Sequence, residues 1–188
     1  MRSILIISCI LLLSLPAQAL EIAGVAIPES ITADDGTALV LNGAGIRSKF
    51  VFDIYIAQLY LEQPAADAKD VLAADTRKRM VMHFLHDKVE KAKLVEAWNE
   101  GFKNNTAADQ VAALQQRIDQ FNAMFGDAKK GDVIVLDYIP GQGTKVTIAG
   151  TEKGTIAGKD FNDAMLLIWL GDKPVAKDLR TKLLAAGK

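Results

Sequence analysis

Arg47, Asp53 and Tyr55 stand within LNGAGIRSKFVFDIYIAQLYLE, residues 41–62, a stretch that otherwise reads as two extended apolar segments around a short polar break. An arginine there has two outcomes. It reaches solvent or pairs with a protein carboxylate, Asp53 being the nearest across the break. Otherwise its planar fork meets an anionic ligand in a cavity, with Tyr55 supplying a second donor. Burying an unpaired guanidinium costs on the order of several kcal/mol, so a buried Arg47 demands an anion. The residues alone leave both outcomes open.

The remaining chemistry-bearing residues narrow the field. His83 and His86 are the only histidines. Three apart on a strand, they point to opposite faces and do not chelate one ion together. With one cysteine in the chain, Cys9, no transition-metal site is expected, and no motif asks for a cofactor. Nucleophile elbow, P-loop, H-E-x-x-H and C-x-x-C patterns are all missing. Gly43-Ala44-Gly45 opens like a dinucleotide fingerprint but lacks the third glycine and leads into a strand, so the glycines are read as easing strand twist or close packing.

Half the residues are apolar and 24% are charged, the balance of one globular domain, and the net charge of −1 gives no basic footprint for nucleic acid. The N-terminus, MRSILIISCILLLSLPAQAL, has a positive start, an apolar run and Ala17-Gln18-Ala19, the pattern of a secretory signal with its cleavage site. The run is shorter than the ~20 residues that span a bilayer. A signal over residues 1–19, a single domain over 20–188 and a periplasmic location are therefore expected. Cys9 falls within the signal, so the mature chain has no thiol and no stable transmembrane segment, and its stability comes from the core.

These residues need elements to position them. Short extended segments precede residue 41, with turns at Pro28 and Asp34-Asp35-Gly36. Residues 50–61 read as a long strand whose two faces are both largely apolar, hence covered on both sides. A short helix is expected to open at Pro64, a strand over 77–86, a helix capped by Asp87 with Val95, Trp98 and Phe102 inward, and a helix capped by Thr106 with Leu114, Ile118 and Phe121 on one stripe. Strands follow from Asp132, from Thr144 and after a turn at Glu152-Lys153-Gly154. An apolar helix over 159–171 and a last helix opened by Lys173-Pro174 end the chain. Segregated blocks of strands and helices predict an α+β fold with an antiparallel sheet and helices mainly on one face.

GAGIRSKFVFDIYIAQLYLE resembles the G-x-G-x-R element and the following strand of the chalcone isomerase family, and exported bacterial chalcone-isomerase-like proteins in particular. RKRMVMHFLHDKVEKAKLVEAWNEGF resembles the family's cleft-lining strand and helix, and KVTIAGTEKGTIAGKDFNDAMLLIWLGDKP its late hairpin and apolar helix. The resemblance implies an open-faced β-sandwich, a large antiparallel sheet with a helical layer on one face and a ligand cleft between them. Two functions share that fold: cyclisation of a hydroxychalcone through phenolate attack on an enone, and fatty-acid binding.

The resemblance makes Arg47 the family's anion-holding arginine. Tyr55 stands where the enzymes have threonine and is similar to the carboxylate-contacting tyrosine of the binders, although the spacing from Arg47 is shorter than in the family. Lys93 and Asn99 resemble the enzymes' cleft lysine and asparagine, no tyrosine accompanies them, and Asn162 stands in place of a serine or threonine. Trp98 joins them as a cleft candidate, with Val51, Leu59, Met82, Val95 and Met165 as further apolar candidates for a ligand tail. The expectation is a periplasmic, non-catalytic holder of a small amphipathic acid such as a fatty acid. An intramolecular lyase, or a structural or partner-binding module whose cleft is filled, are the alternatives.

Overall fold

The computed structural model describes residues 20–186. The expected signal over 1–19, with Cys9, lies outside them. Eleven strands and five helices are found among the described residues. In chain order these are β1 (Leu20–Ile22), β2 (Val25–Ile27), β3 (Ser30–Thr32), β4 (Ala38–Lys49), β5 (Phe52–Leu61), α1 (Ala68–Ala73), β6 (Lys78–Phe84), β7 (Lys88–Val89), α2 (Lys91–Asn105), α3 (Ala108–Ala123), β8 (Ala128–Lys129), β9 (Val133–Ile139), β10 (Gly143–Ile148), β11 (Thr151–Ile156), α4 (Lys159–Leu170) and α5 (Lys177–Leu183).

Seven strands form one antiparallel sheet in the order β11-β10-β9-β6-β5-β4-β3, with α2 and α3 inserted between the neighbours β6 and β9. From Tyr55 onward the β5 alternation works as expected. Tyr55, Ala57, Leu59 and Leu61 face the helices, where Trp98, Phe121, Phe161 and Trp169 build the main core. Ile56 and Tyr60 face the other way, against Ile27 and Leu39. The aromatics of the helical layer meet tilted or edge-on at 4.7 to 6.4 Å, which is core packing.

The glycines of the opening stretch are there for close approach. A Cβ on Gly43 would sit 2.0 Å from the Lys182 carbonyl oxygen, and one on Gly45 2.7 Å from the Lys182 side chain, so α5 lies directly on the β4 backbone. Beside Gly43 is a bulge. Leu41 pairs with Tyr60 and Gly43 with Leu59, leaving Asn42 as the extra residue. Its buried amide donates to the carbonyls of Leu183 (2.7 Å) and Ala65 (2.9 Å) and accepts from the Ala65 N–H (2.7 Å), pinning α5 and the chain before α1 to the sheet. Nothing in the sequence reading marked Asn42.

Several expected boundaries move. Strand β5 begins at Phe52, and the break before it is Phe50-Val51, apolar rather than polar. Asp67 caps α1 in place of Pro64 opening it, its carboxylate accepting from the Lys69 N–H at 2.8 Å. Asp87 caps no helix, because Lys88-Val89 first pairs with Ala128-Lys129 and α2 starts after Glu90. Leu94, Trp98 and Phe102 form its buried stripe, displacing Val95 outward. Thr106 ends α2 rather than capping α3. The last hairpin turns at Ala149-Gly150, both at positive φ, and Glu152-Lys153-Gly154 lies within β11. Helix α5 starts at Lys177, beyond Pro174.

Candidate functional site

Arg47 and Tyr55 are directly opposed across β4 and β5. The next pair, Ser48 with Asp53, leaves Ile54 as a bulge, and the strand alternation breaks at the point where a site is built. Asp53 does not pair with Arg47; it accepts a hydrogen bond from the Ser48 hydroxyl at 2.6 Å. Among the described residues no carboxylate lies within ion-pair distance of Arg47. Its guanidinium carbon stands 5.9 Å from the Tyr55 ring centre.

Beside this pair, between the sheet and the α2/α4 layer, lies a cavity of about 370 Å³. Its lining divides by polarity. Met82, Phe84, Leu94, Trp98 and Ile168 are buried and form an apolar floor, completed by Ile54 from the bulge. Arg47, Lys49, His86, Lys88, Glu90 and Lys93 stand at the accessible rim, where cations outnumber the one carboxylate. Lys88 is paired with Asp127 at 3.0 Å and Lys93 with Glu96 at 3.0 Å, leaving Arg47 and Lys49 without ion-pair partners among the described residues.

Tyr55 is 5% exposed, and its hydroxyl oxygen accepts from the Trp169 indole N–H at 3.0 Å. No acceptor for its own hydrogen is found among the described residues. Burial pushes the phenol up to about 12, against the opposing pull of Arg47 and of the Trp169 hydrogen bond. Tyr55 is thus a protonated donor throughout the physiological range. Trp98, which lines the cavity, also has a buried indole N–H without an acceptor. An unpaired cation, a phenol O–H and an unsatisfied indole N–H around one apolar cavity are complementary to an anionic group carried on an apolar body.

The other anticipated cleft residues separate. Lys93 and Trp98 line the cavity. Asn99 lies on the outward side of α2 and accepts from the Asn122 amide at 2.8 Å. Asn162 is buried in α4, donating to the Thr144 hydroxyl at 3.1 Å, and does not line the cavity. Of the tail candidates only Met82 and Trp98 reach the cavity. Leu59 and Met165 are core, Val95 faces the outer groove, and Val51 is 88% exposed. Phe84, Leu94 and Ile168 were missed, because parity and helical periodicity identify buried residues without distinguishing a cavity wall from solid core. Among the described residues no cluster of three or more His, Cys, Asp or Glu side chains is placed to hold a metal.

A seven-stranded antiparallel sheet with a helical layer and a cavity against an arginine-bearing strand is an arrangement with known relatives. A family model described as chalcone isomerase-like matches residues 19–185, and the chain belongs to that family. Among solved structures it is similar to a fatty-acid binding protein of Arabidopsis thaliana, with a TM-score of 0.61 and 18% identity over 83% of this chain and 96% of that one. At that identity the likeness establishes the shared α+β fold. No curated protein matches the sequence.

Proposed function

We propose that this chain is a non-catalytic holder of a small amphipathic carboxylate, such as a fatty acid, whose head group meets Arg47 and Tyr55 and whose tail lies along the apolar floor. The observation that carries the proposal is the unpaired Arg47 on the wall of a cavity beside a buried, protonated Tyr55. At about 370 Å³ the cavity is near the lower end of the roughly 300–1,000 Å³ typical of small-molecule sites, which suits an acid of short or medium chain. The fatty-acid binding function of the Arabidopsis neighbour supports the same reading. The export signal expected over residues 1–19 goes with a periplasmic setting for it.

Ring closure of an enone requires several donors fixed on one developing oxyanion, and removing one such donor typically costs about 10²–10³ in rate. Asn99 and Asn162 lie away from the cavity, and Lys93 is exposed and engaged with Glu96. This weighs against the lyase alternative. Native mass spectrometry of the purified mature chain tests the proposal: a co-purifying carboxylate lipid is expected, absent from Arg47→Ala. Chalcone absorbance decaying well above the spontaneous rate, and no longer doing so in Arg47→Ala, would replace the proposal with the lyase.

A further inference from the structure

The β4–β5 hairpin has an unusual tip. Phe50 is 91% exposed, Val51 88% and Phe52 54%, so three of the four large exposed apolar residues among those described are consecutive. Lys49 pairs with Phe52, making Phe50-Val51 a two-residue turn, and Phe50 sits at φ +56°. Tight hairpins place glycine or asparagine at such positions. The molecule's other two such turns, Ala23-Gly24 and Ala149-Gly150, place glycine second and nothing larger than alanine at the positive-φ first position. Here a left-handed position favouring glycine holds an aromatic side chain directed to solvent, with a β-branched one beside it.

We propose that this tip docks into the interface of an anionic lipid bilayer. Exposed aromatic and aliphatic side chains backed by cations are the elements of interfacial anchoring. The unpaired Lys49 adjoins Phe50, and Arg47, Lys88 and Lys93 lie behind it on the cavity rim, against Asp53 and Glu90. Lys88 is paired with Asp127 and Arg47 is reserved for the ligand head group, so Lys49 carries the free charge for lipid phosphates. The apolar area on offer is roughly 400–500 Å², too little for a stable protein interface that buries about 800 Å² per partner, whereas a bilayer interface accepts a few side chains at a time. Position supplies the purpose, which rests on the carboxylate-holder reading. Lys49 and Ile54 flank the tip on its two strands and both line the cavity, so a docked tip sets the cavity mouth against the headgroups. An amphipathic acid then passes between bilayer and cavity without crossing bulk water.

Flotation of the mature chain with phosphatidylethanolamine/phosphatidylglycerol vesicles, compared with phosphatidylcholine vesicles, tests the docking. Binding to the anionic vesicles is expected, weakened about tenfold or more by Phe50→Gly combined with Val51→Ser, and by Lys49→Glu. The turn variant should melt no lower than the parent, since glycine takes the positive φ without strain, and its affinity for soluble octanoate, read by tryptophan quenching, should be unchanged. That second readout separates failure of docking from failure of the ligand site. The parent chain failing to float, or the turn variant floating equally well, overturns the proposal. Self-association abolished by the same substitutions without vesicle binding overturns it in favour of a second copy of the chain.

Discussion

Two cations stand beside tyrosine rings at opposite ends of the sheet's helix-facing surface. The Lys78 ammonium lies 4.7 Å from the Tyr138 ring centre and the Arg47 guanidinium 5.9 Å from that of Tyr55. At the first end every partner is internal. Lys78 is buried and donates to the carbonyls of Ala74 (2.5 Å) and Thr76 (3.3 Å), Tyr138 donates to Asp75 at 2.5 Å, and Lys159 bridges the Leu72 carbonyl and Asp163. At the second end the cation and the phenol hydrogen have no such partners among the described residues, and the space beside them is a cavity. The same pair thus closes the molecule where its hydrogen bonds are satisfied and borders a cavity where they are not.

Breaking the closed end should have the largest effect. Lys78→Ala removes a buried side chain and strands two carbonyls, so a loss of about 3 kcal/mol in stability is expected, lowering the melting temperature by roughly 6–12 °C. Affinity for an amphipathic acid should be unchanged. At the open end the pattern reverses. Arg47→Ala should weaken binding of the acid about 30–150-fold, the loss of a charge-assisted hydrogen bond worth about 2–3 kcal/mol, while calorimetric stability stays within about 0.5 kcal/mol. Tyr55→Phe should fall between them: about 5–10-fold in affinity, and about 1 kcal/mol in stability because the Trp169 N–H loses its acceptor.

A pH slope is expected at the closed end. Burial, and secondarily the charge of Lys159, lowers Lys78 to about 8 from its ordinary 10.5, against the opposing pull of Asp163, Asp75 and Glu62. Between those values the folded chain binds fewer protons than the unfolded one, so this group makes stability rise with pH from about 8 towards 10. Denaturant titrations of the parent chain minus those of Lys78→Met should show that rise. A flat difference would mean that the ammonium is accommodated as easily inside as in water.

The two ends were not equally legible in the sequence. Arg47 and Tyr55 were, because a charge in an apolar strand violates the pattern around it. Lys78 was not, since RKRMV shows three cations in a row, and the burial of Arg77 and Lys78 but not of Arg79 depends on tertiary surroundings, for Lys78 on the register with Tyr138 and on the carbonyls that turn towards it. The fold class followed from strand and helix order. The errors cluster where tertiary contacts override local signals: Asp87 gives way to a two-residue strand, Val95 yields the inner face to Leu94, and Phe50-Val51 forms a turn that β propensity would make strand. Asn99 and Asn162 were carried over from family resemblance, and their surroundings here direct their amides to Asn122 and Thr144.

The central claim is that the open end recognises a carboxylate on an apolar chain. Trp98 and Trp169, the chain's two tryptophans, line the cavity and bond Tyr55 respectively, so intrinsic fluorescence reports on that end. Titrating the chain from residue 20 onward with octanoate and with octanol measures the head-group preference directly. The acid should bind at least about tenfold more tightly than the alcohol, and Arg47→Ala should bind the two alike. Equal binding of acid and alcohol by the parent chain, or a preference that survives Arg47→Ala, would contradict the account.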